Sequence, residues 1–328
     1  MDIENVKKKV GRLEQLFGLT KFTYAEGKAK GMDAVEVRTG SGLRYIVLPD
    51  RGMDLGLAEY KGLPFVHISP VGMVAPSYYE PRGDEWLRSF TAGLLTTCGL
   101  DQVGDPCSAG GLHGRIANTP AEQVSLCTKQ ENGQYEMRVC GCVRQAKESV
   151  QNLTLQRSVT SYAGENIIRI RDTVTNESYV PSPFMLLYHI KFGFPFLDED
   201  FRLEIPHTAM SSMYEGREHE FANALCAEAP QAGYSENVFY LEVRPDAQGR
   251  GTILAHGTGY DIRITFPADV LPRVAVWKQM GCQDYVMAVE PCNNWIRGQD
   301  WERENGTLQM LLGGEQKEVE LTIEIVDK

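Results

Sequence analysis

Glu318-Val319-Glu320-Leu321-Thr322-Ile323-Glu324-Ile325-Val326 alternates apolar and polar side chains without a break, so that Val319, Leu321, Ile323 and Ile325 share one face. A period of two is the signature of a half-buried β-strand, because successive side chains leave a strand on opposite sides. The same pattern recurs at Ala34 to Arg38, Arg44 to Leu48, Ile167 to Thr175 and Tyr260 to Phe266. Turn-forming clusters separate such runs: Thr39-Gly40-Ser41-Gly42, Ala163-Gly164-Glu165-Asn166 and Pro245-Asp246-Ala247-Gln248-Gly249. The last two are expected to reverse hairpins, which implies antiparallel pairing. Long amphipathic helices between strands are missing, which argues against doubly wound α/β folds and TIM barrels. The fold class predicted is therefore all-β, a large antiparallel β-sandwich with a few short helices.

Helical spacing occurs at the N-terminus, where Val6, Val10, Leu13 and Phe17 recur between Ile3 and Phe17. This predicts one amphipathic helix and a division into an N-terminal helical extension, residues 1–20, and a single sandwich domain, residues 21–328. From Ser69 to Leu95 the chain carries Pro70, Pro76, Pro81, Tyr78, Tyr79 and Trp86, with a short helix expected around Glu85 to Phe90. A loop of this length is usually functional, and its aromatic residues suit either a pocket wall or cover for a sheet.

The 328 residues are 42% hydrophobic with a net charge of −11, enough apolar material for a core and the wrong sign for a nucleic-acid partner. Lys7, Lys8 and Lys9, the one basic run, sit among glutamates and read as a solvated helix face. The charged N-terminus lacks a signal-peptide core and no segment is apolar enough to span a membrane, so a cytoplasmic location without membrane association is expected. The eight cysteines are dispersed and read as free thiols; Cys140 and Cys142 lack the second pair that a zinc site would need.

Three polar residues stand where structure alone would not require them. His113 lies in Gly110-Gly111-Leu112-His113-Gly114-Arg115, among glycines that permit close backbone approach. His189 follows the apolar run Phe184-Met185-Leu186-Leu187-Tyr188, in a strand where a buried imidazole needs partners. Glu290 ends Tyr285-Val286-Met287-Ala288-Val289 and precedes Pro291, expected to stop the strand there. A carboxyl in that position is either paired or a base with a shifted pKa.

Leu112-His113-Gly114, Tyr188-His189-Ile190-Lys191-Phe192-Gly193 and Ala288-Val289-Glu290-Pro291 resemble, in this order, three active-site segments of aldose 1-epimerases. With Leu48-Pro49-Asp50-Arg51-Gly52-Met53-Asp54 and Gly93-Leu94-Leu95-Thr96-Thr97-Cys98-Gly99-Leu100, the chain looks like a divergent branch of the galactose-mutarotase-like superfamily from about residue 30 onward. The resemblance implies a supersandwich and an isomerase that interconverts sugar anomers without a cofactor or metal. Glu290 would take the anomeric hydroxyl proton, His189 would protonate the ring oxygen and His113 would help bind the sugar. Arg51, Trp277 and Lys278 are further substrate-binding candidates, the guanidinium and ammonium as donors and the indole as a stacking platform; Asp54 is a weaker one.

The chain departs from the family pattern in lacking a recognisable paired asparagine and arginine after the early strands. It also carries Lys191 where a small polar residue is common. Lys191, Lys278, Arg51 and Arg115 together would suit a sugar with an anionic group. Two other readings compete: a carbohydrate-binding or sensor protein without turnover, and a metal-dependent sugar isomerase using His113, His189 and Glu290 as ligands. The partner expected in every case is a small sugar or sugar derivative; a homodimer is compatible with the sequence, which carries no mark of oligomeric state.

Overall fold

The alternation at the C-terminus is realised in the strand Gln316–Asp327, with Val319, Leu321, Ile323 and Ile325 all buried. The computed structural model, which describes residues 1–328, places this strand between Ile167–Asn176 and Tyr260–Pro267 in an eight-stranded sheet. A twelve-stranded sheet faces it. Its path runs from the edge strand Gly18–Thr23 through Leu95–Leu100, Ser182–Phe192, Tyr285–Cys292 and Arg273–Met280 to the far edge His207–Ser212. All pairings between these strands are antiparallel, so the chain is the large sandwich that its periodicity predicts. Between the sheets lies one continuous apolar cluster to which both contribute, including Val139, Ile170 and Leu321 from one side and Tyr188, Ile190 and Val289 from the other.

The central strands of the larger sheet are apolar on both faces because both faces are covered. Tyr188, Ile190 and Phe192 point toward the second sheet. Met185, Leu187, Ala275 and Cys292 point outward into a smaller cluster with Trp86, Phe90 and Ile296. The cover is the proline-rich excursion between residues 69 and 92, which contains short 3-10 turns at Pro76–Tyr78 and Glu85–Ser89.

One polar cluster is set into the inter-sheet core. The Arg157 guanidinium, wholly inaccessible to solvent, donates to both Asp172 oxygens at 2.8 and 2.6 Å and to Asp54 at 3.1 Å. Tyr188 donates to Asp172 at 2.6 Å, and Thr97 donates to Asp54 through its hydroxyl, 2.6 Å, and its backbone N–H. Arg157 and Asp172 belong to the smaller sheet, Asp54, Thr97 and Tyr188 to the larger, so the cluster joins the two.

Several expectations are corrected. The N-terminal helix is only Ile3–Lys7, capped by Asp2, and the chain turns before a 3-10 turn at Leu13–Gln15. Gly11 disfavours continuation of the helix, although Ile3 and Phe17 are still buried, packed against the body with Met137 and Ala163. The edge strand begins at Gly18 and thus crosses the boundary drawn at residue 21. Ala163 to Asn166 does close a hairpin, but Pro245 to Gly249 carries the chain from the larger sheet to the smaller one. Pro291 does not end its strand, which continues to Cys292; Pro291 still pairs with Val274, and proline removes only one N–H from the ladder. All eight cysteines are free, and no helix is long and apolar enough to cross a membrane.

Removing the shared cation tests the inter-sheet cluster. Arg157→Leu leaves two carboxylates buried without their counter-charge, and an equilibrium urea titration is expected to show a loss of roughly 3–5 kcal/mol.

Candidate active site

His189 lies on the strand Ser182–Phe192 and Glu290 on its neighbour Tyr285–Cys292. The register that pairs Leu187 with Cys292 and Ile190 with Val289 sets the two residues directly opposite each other. Their side chains leave the outer face of the sheet, and His189 Nε2 stands 3.4 Å from Glu290 Oε1. On the next strand Trp277 projects from the same face, its ring centroid 5.5 Å from that of His189. These three residues form the floor of a cavity of about 400 Å³, within the range of small-molecule sites.

The excursion supplies a wall through Ser69, Pro70, Trp86, Leu87 and Phe90, so its aromatic residues line a pocket as well as covering the sheet. Phe90 packs on His189 at 5.4 Å and stacks on Trp86 at 4.7 Å. His113 closes the opposite side, its ring 4.8 Å from Trp86 and 6.2 Å from His189. Its backbone is left-handed, φ 58°, a conformation costly for a residue other than glycine and concentrated at functional sites. The following Gly114 makes this possible: a Cβ there would come within 2.5 Å of the carbonyl oxygens of Gly99 and Gln102.

Burial sets the electrostatics. Desolvation pushes the Glu290 carboxyl up to about 8, opposed by the Lys191 ammonium. It drives the His189 imidazole well below its ordinary value, assisted by the positive charge of Lys191. At neutral pH the pair therefore holds one proton, on Glu290 while the pocket is empty. Neither Glu290 oxygen receives a hydrogen bond from the protein, and His189 Nδ1 is buried without a partner, so the reactive atoms are uncommitted. Burial also lowers His113, to about 4. This neutral ring accepts the Gly104 N–H at Nδ1, 3.3 Å, which leaves its proton on Nε2 as a donor.

Lys191 shares the His189 face of the strand but lies beneath the pocket floor. Its ammonium is fully buried, pushed down to about 7 by desolvation, 2.6 Å from Thr96 Oγ1 and 5.2 Å over the Phe90 ring.

Of the six residues singled out in the sequence, His113, His189, Trp277 and Glu290 meet in the pocket, and two do not. Lys278 points away from Trp277, as alternation along a strand requires, and donates to Glu228 at 2.5 Å and the Asn223 carbonyl at 2.9 Å. Arg51 is buried behind the excursion and donates to the carbonyls of Val74, 2.7 Å, and Ser89, 2.9 Å. It holds the wall rather than the ligand. Asp54 belongs to the Arg157 cluster and Arg115 is exposed away from the cavity. The expected grouping of cations around an anionic substrate is therefore not assembled. Nor do three His, Cys, Asp or Glu side chains come close enough to hold a metal ion, so His113, His189 and Glu290 do not form the ligand set of the metal-dependent reading.

Sequence reasoning missed His67, Asp105, Tyr214, Glu236, Gln279 and Asp284, which add polar side chains to the lining. Gln279 follows Trp277 at the spacing that returns a side chain to the same face, a legible signal. The others come from separate loops and strand ends, which no local pattern connects.

The family described as "Domain of unknown function (DUF4432)" matches residues 29–325, and the chain belongs to that family. No curated protein matches. Among solved structures the chain is similar to a candidate aldose 1-epimerase from Klebsiella pneumoniae subsp. pneumoniae. The TM-score there is 0.89 at 24% identity, over 94% of this chain and 83% of that one. It is also similar to a galactose mutarotase-like protein from Clostridium acetobutylicum, with TM-score 0.65 at 13% identity over 96% and 100% of the two chains. For galactose 1-epimerase from Lactobacillus acidophilus the values are 0.62, 13%, 95% and 99%. At these identities the likeness establishes a galactose-mutarotase-like fold.

Two consequences of this geometry can be measured. Arg51→Met leaves two buried carbonyls without a donor, at a cost of roughly 1–3 kcal/mol each. Faster hydrogen–deuterium exchange is expected between residues 69 and 90. Glu290→Gln removes a carboxyl whose folded pKa lies above its unfolded value. Wild-type folded protein therefore holds the extra proton, and loses stability as pH rises from the ordinary carboxylate range to about 8. The melting temperature of the variant is expected to gain on wild type across that window and to run parallel above it.

Proposed function

We propose that this member of the DUF4432 family is an aldose 1-epimerase, an isomerase that interconverts sugar anomers by acid–base ring opening and closure. The observation that carries the reading is the cross-strand pair His189–Glu290, 3.4 Å apart, buried, uncommitted and at the floor of an aromatic pocket. An acid and a base side by side in a dry site is what mutarotation needs and what simple sugar binding does not.

The single proton of the pair supports the chemistry. Moved from Glu290 to His189, it leaves a carboxylate and an imidazolium without any change in total charge. The carboxylate then takes the proton of the anomeric hydroxyl. The O1–H electrons form the C1–O1 double bond while the bond from C1 to the ring oxygen breaks, and the ring oxygen takes the proton from His189. Glu290 is protonated again and His189 neutral, the state that burial favours. Rotation about the bond beside C1 and reversal of these steps close the ring to the other anomer. Trp277 would pack on the apolar face of the sugar and His113 would donate from Nε2 to a ring-side oxygen.

The test is exchange of anomeric proton magnetisation by NMR. Glu290→Gln and His189→Asn are each expected to slow the catalysed exchange by about 10²–10⁴-fold while the sugar still binds. Binding without acceleration by the wild-type protein would identify a sensor instead.

Because the active state holds one proton, the wild-type rate is expected to fall as pH rises through about 8, where Glu290 releases it.

A further inference from the structure

The pocket that holds His189 and Glu290 is lined by four carboxyl groups, Asp105, Glu236, Asp284 and Glu290, the last of them protonated while the pocket is empty, and by no lysine or arginine. Its lining histidines, His67, His113 and His189, are all shifted toward the neutral form by burial. The nearest cations are spent elsewhere. Arg297 pairs with Asp105 at 3.3 Å, Arg217 is bonded to both Glu220 oxygens at 2.6 and 2.9 Å, and the Lys191 ammonium is sealed below the floor against Thr96.

The remaining carboxylates lack compensation. Asp284, on the turn that leads into the Glu290 strand, makes no hydrogen bond or ion pair with the protein. The Glu236 carboxylate accepts only from neutral donors, the Trp277 indole N–H at 2.7 Å and the Tyr214 hydroxyl at 3.4 Å, while its backbone carbonyl takes a hydrogen bond from Arg217. Beneath them Glu290, 3% exposed, faces the cavity with both oxygens free of protein donors. The walls between these groups are the rings of Trp86, Phe90, Trp277 and Tyr214. Carboxylates at the mouth and aromatic faces at the sides are the two features that attract an ammonium group, and both repel a phosphate or a second carboxylate.

We propose that the preferred ligand of this pocket is an amino sugar, whose ammonium is held by Glu236 and Asp284 against the Trp277 ring; this rests on the reading of the cavity as a sugar site. Glu236 is the better placed of the two. The hydrogen bond from the Trp277 indole aims its carboxylate and, by the same contact, fixes the ring on which the sugar would lie.

Isothermal titration of the full-length protein near pH 6.5, where a sugar amine is protonated, compares glucosamine and galactosamine with glucose, galactose, their N-acetylated amines and glucose 6-phosphate. At least one amino sugar is expected to bind about ten-fold more tightly than its parent, the phosphate more weakly than any neutral sugar. N-acetylation, which removes the charge but requires no change in the protein, should abolish the preference. Glu236→Gln and Asp284→Asn, both at exposed positions, should each reduce the ratio of amino to neutral affinity. Equal affinity for amino and neutral sugars, tighter binding of the phosphate, or no binding of any sugar overturns the proposal.

Anomer exchange recorded on the same samples separates the two readings. Accelerated exchange of neutral sugars without an amino preference leaves the epimerase standing and removes the charge selection. Preferential binding of an amino sugar without exchange keeps the selection and removes the epimerase.

Discussion

The structure depends on one buried guanidinium. Arg157 holds Asp172 within its own sheet and Asp54 across the interface, and Tyr188 reaches Asp172 from the other side. A charge in an apolar interior is tolerated only where its partners are in place, so the two sheets can approach in one register and not in neighbouring ones. The residue after Tyr188 is His189. The contact that docks one face of this strand thereby fixes where the imidazole leaves the other.

From that placement the site follows by desolvation. The outer face of the larger sheet would be wet if the chain went straight from Ile68 to Ala92. Instead it makes the excursion whose carbonyls Arg51 gathers, and Trp86 and Phe90 close over His189. Taken out of water, a carboxyl and an imidazole both prefer to be neutral, and opposite shifts bring them to share one proton. Groups chemically ordinary at the surface thus acquire opposite shifts side by side in one pocket. The pocket mouth, by contrast, keeps exposed carboxylates, so the field at the entrance differs from that at the floor.

Much of the candidate site could be read from the sequence, because His113, His189 and Glu290 each sit in a local pattern that looks odd for pure structure and Trp277 offers a stacking face on a neighbouring apolar strand. Errors came where a residue's direction decided the matter. Lys278 is adjacent to Trp277 and for that reason faces the opposite side. Arg51, in a turn that could have opened to the pocket, instead caps buried carbonyls. The apolar spacing from Val6 to Phe17 correctly marked a packed segment but not its conformation, since the helix ends at Lys7 and Gly11 disfavours its continuation.

The sequence by itself determined the strand periodicity and the sandwich class, and marked His113, His189 and Glu290 as residues unusual in a purely structural role. All of these are carried by neighbours within a few residues of one another. Tertiary structure alone decided which carboxylates share the pocket. Asp105, Glu236, Asp284 and Glu290 are brought together by strand order and by loops from different parts of the chain, and electrostatic potential sums over space rather than along sequence. The sign of the charge around the pocket, which the basic residues seemed to set when read in line, is reversed once they turn inward or away.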